Sequence, residues 1–308
     1  ERGVAGMPSA WVARWTHGQG GPVIALGSDV DGIPKASQKP GIPWREPLIE
    51  GGPGHGEGHN SGQAVNIVAA LAVQDAMRRA NVAGTLVLWP GIAEELPGGK
   101  AYFVRDGVFK DVDAVIFTHV ADNLSVFWGQ PRGTGLVSIE YTFSGEAAHS
   151  AMAPWRGRSA LDAVELMNSA WDKRREHLRP EQRSHYVITD GGDQPNVVPS
   201  VASVWYYFRE HTFDAIEKNL QIGNKLADAA ATMTDTTVKS RILGAAAPQH
   251  FNKPIAEAAN KNIQAVGLPQ WTADEQAFAK AVQKNHNTKE EGLAVKLDGL
   301  MPPEPEPR

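Results

Sequence analysis

The order of apolar runs predicts an α/β protein: a mostly parallel sheet with helices on both faces, interrupted by an inserted α+β unit of the ferredoxin-like, split βαβ type. Three observations predict it. Continuous apolar runs at 85–89 and 114–118 have strand length and suit strands buried on both faces. They alternate with helical stretches, which implies a parallel sheet. From 135 to 143 the pattern becomes strict alternation, with Val137, Ile139, Tyr141 and Phe143 on one face, the signature of a half-exposed strand in a different kind of sheet.

Short strands are expected at 11–14 and 22–26, joined by a Gly-rich turn at 17–21. The second runs into Asp29-Val30-Asp31, two carboxylates that would share a face if the strand continued. A Pro- and Gly-rich loop (35–53) leads to Gly54-His55-Gly56-Glu57-Gly58-His59-Asn60-Ser61-Gly62. Glycines at alternate positions let that turn bend freely, so Glu57 and His59 can point at one spot. Asn60 reads as the N-cap of a helix over 63–79, with Val65, Val68, Ala69, Ala72 and Ala76 forming its inward stripe. The strand at 85–89 is followed by Glu94-Glu95, a short helix at 100–107, and the strand at 114–118, which ends at His119.

In parallel sheets, ligands bind beyond the carboxyl ends of the strands. Asp29/Asp31, Glu94/Glu95 and His119 fall just past strand ends, and Glu57/His59 open a helix. Four segments thus deliver carboxylate and imidazole groups to one rim, a donor set suited to a divalent metal.

The inserted unit follows the order β-α-β-β-α-β: strand 135–143, helix 159–171, strands 185–189 and 200–208, helix 213–233, strand 236–242. The expected division is 1–132 and 244–308 for the α/β domain and 133–243 for the insert. Helices at 254–266 and 272–283 would rejoin the first domain, and 302–308 reads as a stiff Pro-rich tail.

Composition removes several function classes. Apolar content of 42% and charge of 21% are ordinary for a globular chain. No apolar run approaches the ~20 residues of a membrane helix. A net charge of −5 gives no basic footprint for nucleic acid. The chain has no cysteine, so neither disulfides nor a thiolate zinc site enter. A cytoplasmic location is the expectation, and a periplasmic one is compatible.

The motifs Gly-Ser-Asp-Val-Asp (27–31), Gly-His-Gly-Glu-Gly-His-Asn (54–60), Glu-Glu with Gly-Gly-Lys (94–100) and Thr-His (118–119) occur in order. They continue with Gly-Glu-Ala-Ala-His-Ser-Ala (145–151), Gly-Arg-Ser-Ala-Leu-Asp-Ala (157–163) and Pro-Asn-Val-Val-Pro (195–199). Together they resemble the dinuclear metal-dependent amidohydrolases and metallopeptidases that include aminoacylases, auxin-conjugate hydrolases and carboxypeptidase G. The resemblance runs from about residue 10 to about 284. It implies two divalent metal ions, manganese or zinc, held by Glu57, His59, Glu95 and His119, with Asp31 a carboxylate behind them. It implies Glu94 as general base, His149 as a donor to the substrate carbonyl, in relatives across a dimer interface, and Asn196 and Arg209 as holders of the substrate carboxylate. Spacing alone does not say which of Glu94 and Glu95 takes the metal. The implied substrate is an N-acyl or aminobenzoyl amino acid. The insert would be a lid and dimerisation domain, making a homodimer or a hetero-oligomer with a related subunit.

Two departures stand out. Glu57 lies where such relatives usually carry a cysteine, and a carboxylate is the harder ligand, which favours manganese. The family's first helix and strand, and its last metal-binding His, have no match here, so the chain is expected to be cut at both ends. Rival expectations are an aromatic aminohydrolase on the same site and a non-catalytic subunit of a hydrolase complex.

Overall fold

The computed structural model describes residues 1–303 except Pro97, Asp122, Pro131 and Arg132. Two compact units emerge, Glu1–Gly129 with Phe251–Pro303, and Gln130–His250. The Pro-rich run lies outside the described residues from 304 onward.

In the first unit, β1 (Ala13–His17), β2 (Val23–Asp29), β3 (Gly84–Gly91) and β4 (Ala114–Phe117) form a sheet in the order β1-β3-β2-β4. The last three are mutually parallel, and only β1 runs antiparallel, against β3. Successive residues of β3 feed opposite faces. Leu86 packs with Leu26 and with Ala70 of helix α1 (His59–Ala80), while Val87 and Trp89 pack with Ala25 and with Phe103 of α2 (Lys100–Arg105). Helices therefore cover both faces, as the sequence predicts. Because β2, β3 and β4 are parallel, Asp29, the Glu94-Glu95 segment and His119 leave the sheet on one rim.

Helix α1 differs from expectation at its start and on its inward face. It begins at His59, and its N-cap is Gly58 in the left-handed region (φ 67°) with no side-chain cap, so Asn60 lies inside the helix. The inward residues are His59, Gln63, Asn66 and Ala70, whereas Val65 and Val68 are 58% and 67% exposed. The valine stripe points outward because the sheet end beneath this helix is occupied by polar groups. Gly62 permits the close approach: a Cβ there would lie 2.0 Å from the Ser28 hydroxyl.

Beyond β4, strand β5 (Ser125–Phe127) pairs in parallel with β10 (Gly299–Met301), a small sheet that the polar sequence after 285 did not announce. Helix α5 (Lys253–Val266) packs against both strands. Helix α6 (Ala273–Asn285) starts with a capping box in which Thr272 and Glu275 bond each other's backbone N–H.

The second unit is a single antiparallel sheet in the order β7-β8-β6-β9, built from β6 (Gly135–Ser144), β7 (Arg183–Asp190), β8 (Val201–Glu210) and β9 (Thr237–Ala246). With α3 (Ala160–Arg174) and α4 (Phe213–Thr234) it follows the split βαβ order. Ser159 and Thr212 cap the two helices by accepting from the Asp162 and Ala215 N–H groups. Both helices lie on the face formed by Val137, Ile139, Tyr141 and Phe143 of β6 and Ala202, Val204, Tyr206 and Phe208 of β8. Trp171 of α3 is fully buried there, 4.5 Å from the Phe208 ring centroid, and its Nε1–H donates to Ser184 Oγ at 2.7 Å. Burying one side chain of this size contributes about 1.5–3 kcal/mol or more.

Candidate metal centre

The rim of the first unit gathers the predicted groups around His59. Starting α1 on a left-handed Gly58 drops the His59 ring against the end of the sheet, where it is buried. Its Nδ1 lies 3.2 Å from the Asp31 backbone oxygen and 3.3 Å from Asp31 Oδ1. Its Nε2 lies 3.1 Å from Nε2 of His119, the two rings meeting edge to face. His119 Nδ1 is 2.7 Å from the Val120 backbone oxygen. A carbonyl oxygen only accepts, so both Nδ1 atoms donate, and in the neutral rings both Nε2 atoms present lone pairs to each other.

Carboxylates complete the surroundings. Glu57, His59 and Glu95 each offer one ligand atom, all within 4.8 Å of one another, and Asp29, His59 and His119 do the same. Glu57 Oε2 is 3.6 Å from His119 Nε2. Asp31 fixes two parts of the site at once: it takes the Nδ1 side of His59, and its Oδ2 accepts from the Glu95 backbone N–H at 3.0 Å. The Asp31 carbonyl also receives His55 Nδ1 at 3.1 Å. Glu95 has its carboxyl raised above the ordinary glutamate value, by loss of water first and then by the charges of Glu57 and Glu94. Glu94, its neighbour in the chain, is raised too: desolvation pushes it up, Lys100 opposes, and Asp29 and Asp31 add to the rise.

Glu57, His59, Glu95, His119 and Asp31 are thus brought together, with Glu94 next to them. Strand β2 ends at Asp29, so the strand spacing that would set Asp29 and Asp31 on one face does not extend to Asp31. Asp29 is buried and paired with Lys100 Nζ at 2.7 Å, and that ammonium lies 4.7 Å from the Phe117 ring centroid. Sequence placed Asp29 on the rim by its strand end, without a partner; Lys100 as its counter-ion was not assigned. Their separate positions were legible, an aspartate ending an apolar strand and a lysine opening α2, but their pairing left no local signal.

His149, Asn196 and Arg209 belong to the second unit. His149 Nδ1 accepts from the Ala151 and Met152 N–H groups at 3.2 and 3.3 Å, which leaves the proton on Nε2. His149 bridges to Val197, and the Ser150 N–H donates to the Asn196 carbonyl at 3.1 Å, so His149 and Asn196 sit on adjoining segments. Arg209 lies on β8, its guanidinium 5.1 Å from the Tyr207 ring centroid.

The fit of a divalent ion is testable on this geometry. Two lone pairs facing each other at 3.1 Å repel unless a cation lies near both, and Asp31 behind His59 is the outer partner that a ligating imidazole uses. The donor set of imidazoles and carboxylates suits zinc or manganese.

The chain is similar to several known proteins. Residues 134–234 match the family model of the peptidase dimerisation domain of M20 type. The chain is 36% identical over 283 residues to a p-aminobenzoyl-glutamate hydrolase subunit of Escherichia coli, covering 92% of this chain and 58% of that protein. It is 28% identical to the Xaa-Arg dipeptidase of Mus musculus, covering 85% of this chain and 58% of that one. The chain therefore spans a little over half the length of these curated relatives. Among solved structures, an aminobenzoyl-glutamate utilization protein from Klebsiella pneumoniae shares the fold with a TM-score of 0.65 at 21% identity, over 96% of this chain and 70% of that one. A dinuclear metal-binding peptidase of the M20 family from Bacillus subtilis does so with a TM-score of 0.54 at 18% identity, over 87% and 69%. Residues 134–234 thus match the model of the M20 peptidase dimerisation domain, and over 92% of its length the chain is similar to a p-aminobenzoyl-glutamate hydrolase subunit.

Proposed function

We propose that the chain carries the catalytic groups of a metal-dependent amide hydrolase acting on an N-acyl or aminobenzoyl amino acid. The observation that carries this reading is the pair of Nε2 lone pairs of His59 and His119, ringed by Glu57, Glu95 and Asp29. Glu57, His59, Glu95 and His119 would hold two divalent ions. When bound, such ions supply Lewis acidity and make a water nucleophilic at neutral pH. Glu94 takes the proton of the attacking water and returns it to the leaving nitrogen. His149, with its proton on Nε2, donates to the carbonyl oxygen as negative charge builds there. Arg209 and Asn196 hold the substrate carboxylate, Arg through its planar fork. Residues 133–243 serve as the assembling domain, with a second copy or a related subunit. The names of the relatives, a p-aminobenzoyl-glutamate hydrolase subunit and a homologue of its companion subunit among them, support both the reaction and the assembly.

Elemental analysis of purified protein tests the metal reading. About two ions per chain are expected, lost in the Glu57→Ala, His59→Ala double variant; a metal content unchanged by that substitution would remove the site. Hydrolysis of N-benzoyl-glutamate then tests the chemistry. With Glu57 among the ligands, manganese should restore apo-protein at least as well as zinc. Restoration by zinc and never by manganese would sink that preference.

A further inference from the structure

The helix-free face of the second unit's sheet presents two cations side by side. In the β7–β8 pairing Arg183 stands directly opposite Arg209, and Leu136 of β6 lies on the other side of Arg209. Directly opposed residues share a face, with Cβ atoms about 4.5–5.5 Å apart, and like charges so placed destabilise the pair. This is the face that carries Trp205 and Tyr207 of β8, the alternate residues Tyr206 and Phe208 being buried under the helices.

Nearby carboxylates are engaged elsewhere. Glu140 accepts the Thr189 hydroxyl at 3.1 Å and faces Arg241 at 3.6 Å. Glu181 pairs with Arg179 at 3.4 Å. Glu210 is buried and accepts from the His211 N–H. Among the described residues, neither Arg183 nor Arg209 has a carboxylate partner. One Arg183 nitrogen donates to the Pro180 and Gln182 carbonyls, which anchors the side chain and leaves the rest of its fork to a ligand. Two arginines at opposed positions beside an aromatic strip complement a double anion attached to an apolar group.

We propose that Arg183 is a specificity-determining residue which, with Arg209, holds the two carboxylates of an acidic amino-acid moiety. The substrates are then N-acyl dicarboxylic amino acids of the glutamate or aspartate type. This rests on the reading of Arg209 as a carboxylate anchor.

The experiment is calorimetric binding of N-benzoyl-glutamate and of its monocarboxylate counterpart N-benzoyl-norvaline to the whole chain, its Arg183→Gln variant and its Arg183→Lys variant. The parent should bind the dicarboxylate about tenfold more tightly, the size of one charge-assisted hydrogen-bonded pair. Arg183→Gln should abolish that preference while leaving norvaline-type binding unchanged, and Arg183→Lys should restore part of it. Relief of repulsion means that the ligand-free Gln variant melts no lower than the parent. Equal affinities in the parent, no binding of either compound, or a preference that survives in Arg183→Gln overturns the proposal. Cleavage is followed separately. A dicarboxylate preference without cleavage keeps this inference and removes the hydrolase reading; cleavage without preference does the reverse.

Discussion

Helix α4 turns Ile216, Ala227, Ala230 and Ala231 toward its sheet, whereas α1 turns His59, Gln63 and Asn66 inward and leaves Val65, Val68 and Leu71 some 58–67% exposed. Both helices have 22 residues, and both lie on a sheet. The second unit uses its helices to fill a core of aromatic and aliphatic side chains. The first uses the opening turns of α1 to carry chemistry to a strand end. Buried polar groups cost stability unless partnered, and the Gln63 amide has no partner among the described residues. The opening turns of α1 thus give up packing for donor placement, and the second unit holds the larger cluster of buried apolar side chains.

The strongest way to break this comparison is Trp171→Ala. Loss of a fully buried indole and its bond to Ser184 should destabilise the second unit by about 3–5 kcal/mol. Chemical denaturation followed by tryptophan fluorescence and circular dichroism checks it, and a loss under 1 kcal/mol would contradict the packed core. A subtler probe uses the two buried phenols. Tyr141 and Tyr206 donate to Asn224 and Asn168, and burial pushes both hydroxyls above their ordinary value. The folded state keeps these protons while the unfolded chain releases them near pH ~10. Above that pH the unfolded state binds fewer protons, so stability falls as pH rises. Melting temperatures between pH 9 and 11 should drop in the parent and drop less in the Tyr141→Phe, Tyr206→Phe variant; parallel curves would speak against it. The smallest effect is expected on α1, where Val68→Ser should change stability by no more than about 0.5 kcal/mol. A loss of 2 kcal/mol there would mean that this side chain is buried in solution.

The sequence was most legible where one rule governs a stretch. Alternation in β6 predicted which residues are buried, and the continuous run around Val87 marked a strand covered on both faces. It was least legible where local pattern and tertiary role conflict. The valines of α1 obey helical spacing yet point outward, because Gly62 and Asn66 lie against Ser28 and Thr118. Asn60 is a good cap by composition, but the turn is closed by the backbone freedom of Gly58. In the candidate site, clustering of Glu57, His59, Glu95 and His119 followed from strand ends and motif order. The work of Asp29 with Lys100 did not, since a pair separated by 71 positions leaves no local trace. The opposed Arg183 and Arg209 were equally hidden, because register is fixed by the whole sheet and not by either strand.

Gly62 has a consequence for how the centre could be tuned. It sits three residues after His59, just under one helical turn, with no room for even a methyl group beside Ser28. Any side chain there works as a wedge at the pivot of a lever whose short arm is the His59 imidazole. A single carbon inserted between helix and strand would swing that ring away from His119 without altering one donor atom. The spacing of the two imidazoles is therefore written partly in a residue that has no side chain at all.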